Sequence, residues 1–196
     1  MLKLISLLSI TTLASVVSAE PDKAPKVSPP VAPVEEPLKV GDNAPAIESI
    51  DQEGKKVVLT DIFKEGATLI YFYPKSDTPG CTKQACNLRD AFEKVTEAKI
   101  TVIGVSNDTV ASQKAFQQKY KLPFTLLADT NQAVIKAFGV PTIRDKYASR
   151  QTFLVKGGKI IWRDLNAAPV TQAQKALEAL NTHNASLEAA KKTEKK

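Results

Sequence analysis

The sequence predicts an α/β domain in which a mixed central sheet carries helices on both faces, behind an N-terminal hairpin. Three observations carry that expectation. Thr68-Leu69-Ile70-Tyr71-Phe72-Tyr73 and Ile100-Thr101-Val102-Ile103-Gly104-Val105 are unbroken β-favouring runs, as strands buried on two faces require. Between them, residues 79–98 have helix-forming composition, with Ala85, Leu88, Ala91, Phe92 and Val95 spaced along one side. Strand, helix, strand implies a right-handed parallel crossover. Finally, residues 152–155 and 159–162 flank Gly157-Gly158, the mark of a tight antiparallel hairpin, so the sheet must be mixed.

Taken in order, the chain opens with a segment, residues 1–19, that reads as a cleavable secretory signal. Lys3 precedes an apolar run over residues 4–17, and the small-residue site Val17-Ser18-Ala19 stands before Glu20. The run is shorter than the ~20 apolar residues needed to cross a hydrocarbon core. The mature protein is therefore expected to be exported, periplasmic or secreted, without stable membrane insertion. Residues 20–37 form a Pro-rich linker, with Pro21, Pro25, Pro29, Pro30, Pro33 and Pro37 among Lys, Ala, Val and Glu. Such a stretch builds no core and acts as a semi-rigid spacer.

One domain, residues 38–182, follows. A hairpin from residues 46–50 and 56–59 opens it. After the second long strand, a helix is expected from a cap at Asn107 or Asp108 to Tyr120, then a strand at 124–127, a helix at 132–138 and a last helix at 171–180. Residues 183–196 read as a polar, charged tail, solvated and frayed. The net charge of +6 is modest and is not clustered with aromatics, which argues for solubility and against nucleic acid as a partner.

Only two cysteines are present, Cys81 and Cys86. In an oxidising compartment the plain reading of such a pair is a structural disulfide. Helix geometry weighs against it: five residues on a regular helix separate the Cα atoms by roughly 8 to 9 Å, whereas a disulfide needs less than about 7 Å. The bond forms only if the helix start unwinds, as in a catalytic pair. Two thiols and the distant His183 cannot make a structural zinc site, so no metal is expected, and the Cys-x-x-Cys spacing of dithiol oxidoreductases is absent. Cys81 follows Thr78-Pro79-Gly80 at a helix start, where the dipole and unpaired N–H groups favour a thiolate. Cys86 lacks that advantage, so Cys81 is the attacking thiol and Cys86 the resolving one.

The segment Tyr71-Phe72-Tyr73-Pro74-Lys75-Ser76-Asp77-Thr78-Pro79-Gly80-Cys81-Thr82-Lys83-Gln84-Ala85-Cys86 resembles the active-site segment of peroxiredoxins, and most of all their bacterioferritin comigratory protein or Q type. The Pro-x-x-x-Thr-x-x-Cys core is complete. Weaker resemblance runs from Val40-Gly41-Asp42-Asn43-Ala44-Pro45 through Phe124-Thr125-Leu126-Leu127-Ala128-Asp129 to Arg150-Gln151-Thr152-Phe153-Leu154. The resemblance implies a thioredoxin-like fold and a thiol peroxidase. Cys81 would be peroxidatic and Cys86 resolving, Thr78 would offer its hydroxyl to thiolate and peroxide, Pro74 would shield the pocket, and Arg150 would complete it, with Arg144 or Arg89 as the alternative cation. Hydrogen peroxide and organic hydroperoxides would be reduced through a Cys81 sulfenic acid and a Cys81–Cys86 disulfide, recycled by a thioredoxin-like dithiol reductant without a cofactor. A monomer is compatible with these features. An extracytoplasmic thiol–disulfide oxidoreductase and a non-catalytic module with a structural disulfide remain the alternatives.

Overall fold

The structure is a computed structural model that describes residues 35–194. The expected leader, residues 1–19, and most of the linker lie outside the described residues. The chain forms β1 (Glu48–Ile50), β2 (Lys56–Val58), α1 (Leu59–Glu65), β3 (Ala67–Phe72), α2 (Pro79–Asp90), α3 (Phe92–Glu97), β4 (Ile100–Ser106) and α4 (Val110–Tyr120). It continues through β5 (Thr125–Ala128), α5 (Ala133–Ala137), β6 (Thr142–Ile143), β7 (Tyr147–Ala148), β8 (Thr152–Lys156), β9 (Lys159–Asp164) and α6 (Gln172–Glu194).

The main sheet has the order β5-β4-β3-β8-β9. β3 runs parallel to β4 and antiparallel to β8, so the sheet is mixed. All six residues of β3 are buried, and alternation divides them between two cores. Leu69, Tyr71 and the following Tyr73 pack with Leu88 of α2, Phe116 of α4 and Leu180 of α6. Ile70 and Phe72 face Leu59 and Phe63 of α1 and Val134 and Ile135 of α5. Each such side chain contributes about 1.5–3 kcal/mol on leaving water. Helices thus cover both faces. β8 and β9 join through Gly157 and Gly158, whose φ values of 57° and 74° are the left-handed pair a two-residue turn requires.

Several elements depart from the sequence expectation. The opening hairpin is shorter, a separate sheet of β1 and β2, because Leu59 starts a helix; Leu59 and Phe63, four apart, are both buried. The small hairpin of β6 and β7 was not foreseen. The helix expected over 79–98 is two. Arg89 ties the end of α2 to the Tyr120 carbonyl at 2.9 Å, while Phe92 packs against Phe124 with ring centroids 6.1 Å apart. A one-residue bend at Ala91 (ψ 4°) serves both attachments. α4 is capped by Thr109, whose hydroxyl accepts the Ser112 N–H at 3.3 Å, and not by Asn107 or Asp108. The Asp108 carboxylate is engaged elsewhere. α6 runs to Glu194 instead of ending near Leu180. Its Ala-, Glu- and Lys-rich sequence favours helix, and Lys156 of β8 holds Asn184. No described helix is long and apolar enough to cross a membrane.

Candidate active site

The loop from Pro74 to Thr78 leaves the C-terminal end of β3 and turns into α2. Thr78 takes the N-cap position with extended backbone (φ −88°, ψ 151°), and Pro79 occupies the first turn, where a missing N–H costs nothing. The first helical bond is donated by the Thr82 N–H to the Thr78 carbonyl at 2.8 Å. The amides of Gly80 and Cys81 therefore precede the first intrahelical donor, and their N–H groups lie at the positive end of the helix. Cys81 is 1% exposed.

Arg150 reaches this sulfur through strand register. Thr152 pairs with Tyr71 near the end of β3, and the Phe72 N–H donates to the Gln151 carbonyl at 2.8 Å. Arg150 is thereby carried just past the end of β3, over the head of α2. Its Nη2 stands 3.5 Å from Cys81 Sγ, and its Nη1 donates to Gln84 Oε1. Gly80 permits the approach, because a Cβ there would lie 3.2 Å from Arg150 Nη2. Gln84 is one turn beyond Cys81, fully buried, and its Nε2 has no protein partner. Gln84 thus orients the guanidinium through its amide oxygen and keeps an unpartnered buried amide donor; the i, i+3 spacing from Cys81 was the signal that could have found it.

Thr78 makes no side-chain cap bond. Its hydroxyl donates to the Lys75 carbonyl at 2.9 Å, which leaves only its lone pairs free. Pro74 is half-buried at the loop's start. Of the alternative cations, Arg144 is exposed between β6 and β7, and Arg89 is engaged with Asp90 and the Tyr120 carbonyl. Cys86 is half-buried on α2 and, like Cys81, a free thiol. Beneath the pair, the buried Tyr71 hydroxyl has no partner. Burial chiefly holds its ionisation well above the usual tyrosine range, with smaller contributions from Tyr73, Cys81 and Cys86.

A second polar cluster lies behind the loop and was not foreseen from sequence. Fully buried Gln113 of α4 accepts from the Tyr73 hydroxyl and from Ser76 Oγ (3.1 Å), and donates to Ser106 Oγ (2.9 Å) and the Leu127 carbonyl (2.8 Å). Asp108 Oδ2 accepts from the Ser76 N–H and from Ser106 Oγ, both at 2.7 Å. On the outer side, Asp77, in left-handed backbone (φ 59°), accepts from Lys119 Nζ and the Tyr120 hydroxyl at 2.7 and 2.6 Å. Lys119 first and Tyr120 second hold the Asp77 carboxyl below its ordinary value. Among the described residues no group of three or more His, Cys, Asp and Glu is placed to hold a metal ion.

Comparison with known proteins places this site in a lineage. A model described as the AhpC/TSA family matches residues 40–163. The chain is 42% identical over 142 residues to chloroplastic peroxiredoxin Q of Suaeda salsa, covering 69% of this chain and 66% of that protein. It is 50% identical over 106 residues to chloroplastic peroxiredoxin Q of Triticum aestivum, covering 54% of this chain and 48% of that one. The chain thus spans from about half to two thirds of the length of these curated relatives. Among solved structures, peroxidoxin BcpB of Mycobacterium tuberculosis superposes with a TM-score of 0.69 at 31% identity, over 74% of this chain and 97% of that one. The Xanthomonas campestris bacterioferritin comigratory protein, described for its alkyl peroxide reduction activity, gives 0.66 at 26% identity, over 74% and 97%. The matched span takes in β3, α2 and Arg150, so the arrangement around Cys81 lies inside what the family model covers, and the chain belongs to the AhpC/TSA family.

Proposed function

We propose that this protein is a thiol peroxidase that reduces hydrogen peroxide and organic hydroperoxides to water and alcohols. The observation that carries the reading is the Arg150 guanidinium 3.5 Å from a buried thiol at a helix start. Reduction needs a thiolate in line with the O–O bond and preorganised donors for the charge that moves onto the departing oxygen. Arg150 and the Cys81 N–H supply those donors. Thr78, with its hydrogen spent on Lys75, accepts the peroxide O–H and so orients the oxygen under attack. Pro74 limits water at the sulfur. The Xanthomonas relative's alkyl peroxide reduction supports organic hydroperoxides as a substrate class.

Attack transfers the terminal oxygen to sulfur. The O–O bond breaks, Cys81 becomes a sulfenic acid, and the leaving oxygen takes a proton and departs as water or alcohol. The Cys86 thiol then displaces hydroxide from the sulfenic sulfur, releasing water and forming the Cys81–Cys86 disulfide. Because both residues sit on one continuous helix, the start of α2 must unwind for this step. An external thioredoxin-like dithiol restores both thiols by exchange. Export is part of the same proposal, resting on Lys3 and the apolar run before Glu20; the protein recovered from producing cells should lack the mass of residues 1–19, and retention of that mass would count against it.

Two substitutions test the chemistry. Cys81→Ser should abolish peroxide consumption. Cys86→Ser should allow one turnover followed by over-oxidation or adduct formation, seen by intact mass. Undiminished steady turnover by Cys81→Ser would refute the proposal.

A further inference from the structure

Asp108 touches neither cysteine, yet its carboxylate reaches the loop that carries Thr78. Oδ2 accepts the N–H of the Lys75–Ser76 peptide at 2.7 Å. The carbonyl of that same peptide accepts the Thr78 hydroxyl at 2.9 Å. A single peptide plane therefore has the carboxylate on its donor side and Thr78 on its acceptor side. A charge-assisted bond to a peptide N–H fixes the plane and strengthens the carbonyl as an acceptor, because successive hydrogen bonds polarise one another. The plane decides where the Thr78 hydrogen points. With that hydrogen held back toward Lys75, Thr78 can meet a peroxide only as an acceptor.

The carboxylate is itself held. Ser106 Oγ donates to it at 2.7 Å and accepts from Gln113 Nε2 at 2.9 Å, while Gln113 Oε1 takes the hydroxyl of Ser76 at 3.1 Å. The circuit closes on Ser76, gripped at both its N–H and its hydroxyl, with Ser76, Ser106 and Gln113 all buried. Every anchor lies on β4 or α4 or just between them, and none on α2. The Thr78 side of the pocket is consequently held by parts of the protein that need not move when α2 unwinds.

We infer that Asp108 is a positioning residue for peroxide reduction, acting through the Lys75–Ser76 peptide to hold Thr78 as a hydrogen-bond acceptor for the substrate O–H. This rests on the peroxidase reading and adds to it a residue that touches neither substrate nor sulfur. A purely structural Asp108 would lower stability without selecting among reagents. A positioning Asp108 slows attack on reagents that bear an O–H to be oriented, and spares others.

The test uses single-turnover reaction of the reduced, full-length protein with hydrogen peroxide, beside alkylation of Cys81 by iodoacetamide over a range of pH, in wild type, Asp108→Asn, Asp108→Ala, Thr78→Val and the Asp108→Ala/Thr78→Val double variant. Asp108→Ala should slow peroxide attack about tenfold or more, with Asp108→Asn between it and wild type because the amide oxygen can still accept from Ser76. The alkylation profile should be unchanged. The double variant should be no slower than Thr78→Val alone, since both remove one function. Should the alanine variant not fold, the asparagine variant, about the same size, carries the test by its own loss and its coupling to Thr78→Val. Peroxide rates within twofold of wild type at Asp108, equal slowing of alkylation, or losses that add to that of Thr78→Val would overturn the inference while Cys81 remains a peroxidase. A wild-type protein inert to peroxide would overturn both together.

Discussion

At Gly80 the missing side chain is a requirement of the neighbouring arginine. A Cβ there would stand 3.2 Å from Arg150 Nη2, so Gly80→Ala must displace the guanidinium by a few tenths of an ångström or more. Peroxide attack by Cys81 should fall about tenfold, since preorganised donors lose their worth when misplaced. Arg150→Lys should cost more, about 100-fold, because an ammonium cannot hold Gln84 Oε1 with one nitrogen and face Sγ with another. Stopped-flow thiol oxidation measures both, and equal rates for wild type and Arg150→Lys would contradict the role given to Arg150. Local sequence made the helix-start cysteine, Pro79 and Gly80 legible, because helix entry has its own residue signals. Arg150 was legible only through family resemblance. Its approach depends on Thr152 pairing with Tyr71, and no short-range pattern states which strands will pair.

Helices show where sequence patterns suffice and where they fail. The apolar spacing that marked residues 79–98 is a packing signal, and Ala85, Leu88 and Val95 are buried as it requires. Asp108 stands one residue from a helix start, where a carboxylate is an ordinary cap. The same residue type serves equally well as a distant acceptor, and only the fold decides between the two. A true carboxylate cap sits on α5, where Asp129 accepts the N–H groups of Val134 and Ile135 at 3.1 and 2.8 Å. Burial raises its titration above the ordinary carboxylate range, against the amides that favour ionisation. A folded-state value raised over the unfolded one stabilises fully at low pH and is lost as pH climbs through the shifted value. Asp129→Asn should therefore remove a fall in stability just above the ordinary carboxylate range, in chemical denaturation followed against pH. Asp129→Ala should cost about 1–3 kcal/mol by orphaning buried donors. A pH dependence identical in wild type and Asp129→Asn would reject this account. In α2, disulfide formation should accelerate amide exchange over the helix's first turns and leave β3 protected; uniform protection in both redox states would rule out the unwinding.

For the molecule as a whole, the sheet order brings the site together. β3 lies at the centre, with β4 on one side and β8 on the other, so its C-terminal end receives both the start of α2 and the residues before β8. The sequence patterns located all five strands of the main sheet but not this order, because strands of like composition are interchangeable until pairing selects them. Gly104 reports on the closeness of that pairing. It lies between Tyr71 and Leu126 in register, and a Cβ there would fall 2.7 Å from both the Tyr71 hydroxyl oxygen and Leu126 Cδ2. Gly104→Ala should destabilise the protein by about 1–3 kcal/mol through overpacking, read as a lower Tm, and an unchanged Tm would show that the sheet yields there. The central claim, that Cys81 and Cys86 form one catalytic pair, is tested most directly by adding one equivalent of hydrogen peroxide to the reduced protein and following free thiols and intact mass. Rapid loss of both thiols with the mass of two hydrogens, and a Cys81–Cys86 peptide on mapping, is the result predicted. Peroxide left unconsumed with both thiols still free would contradict it.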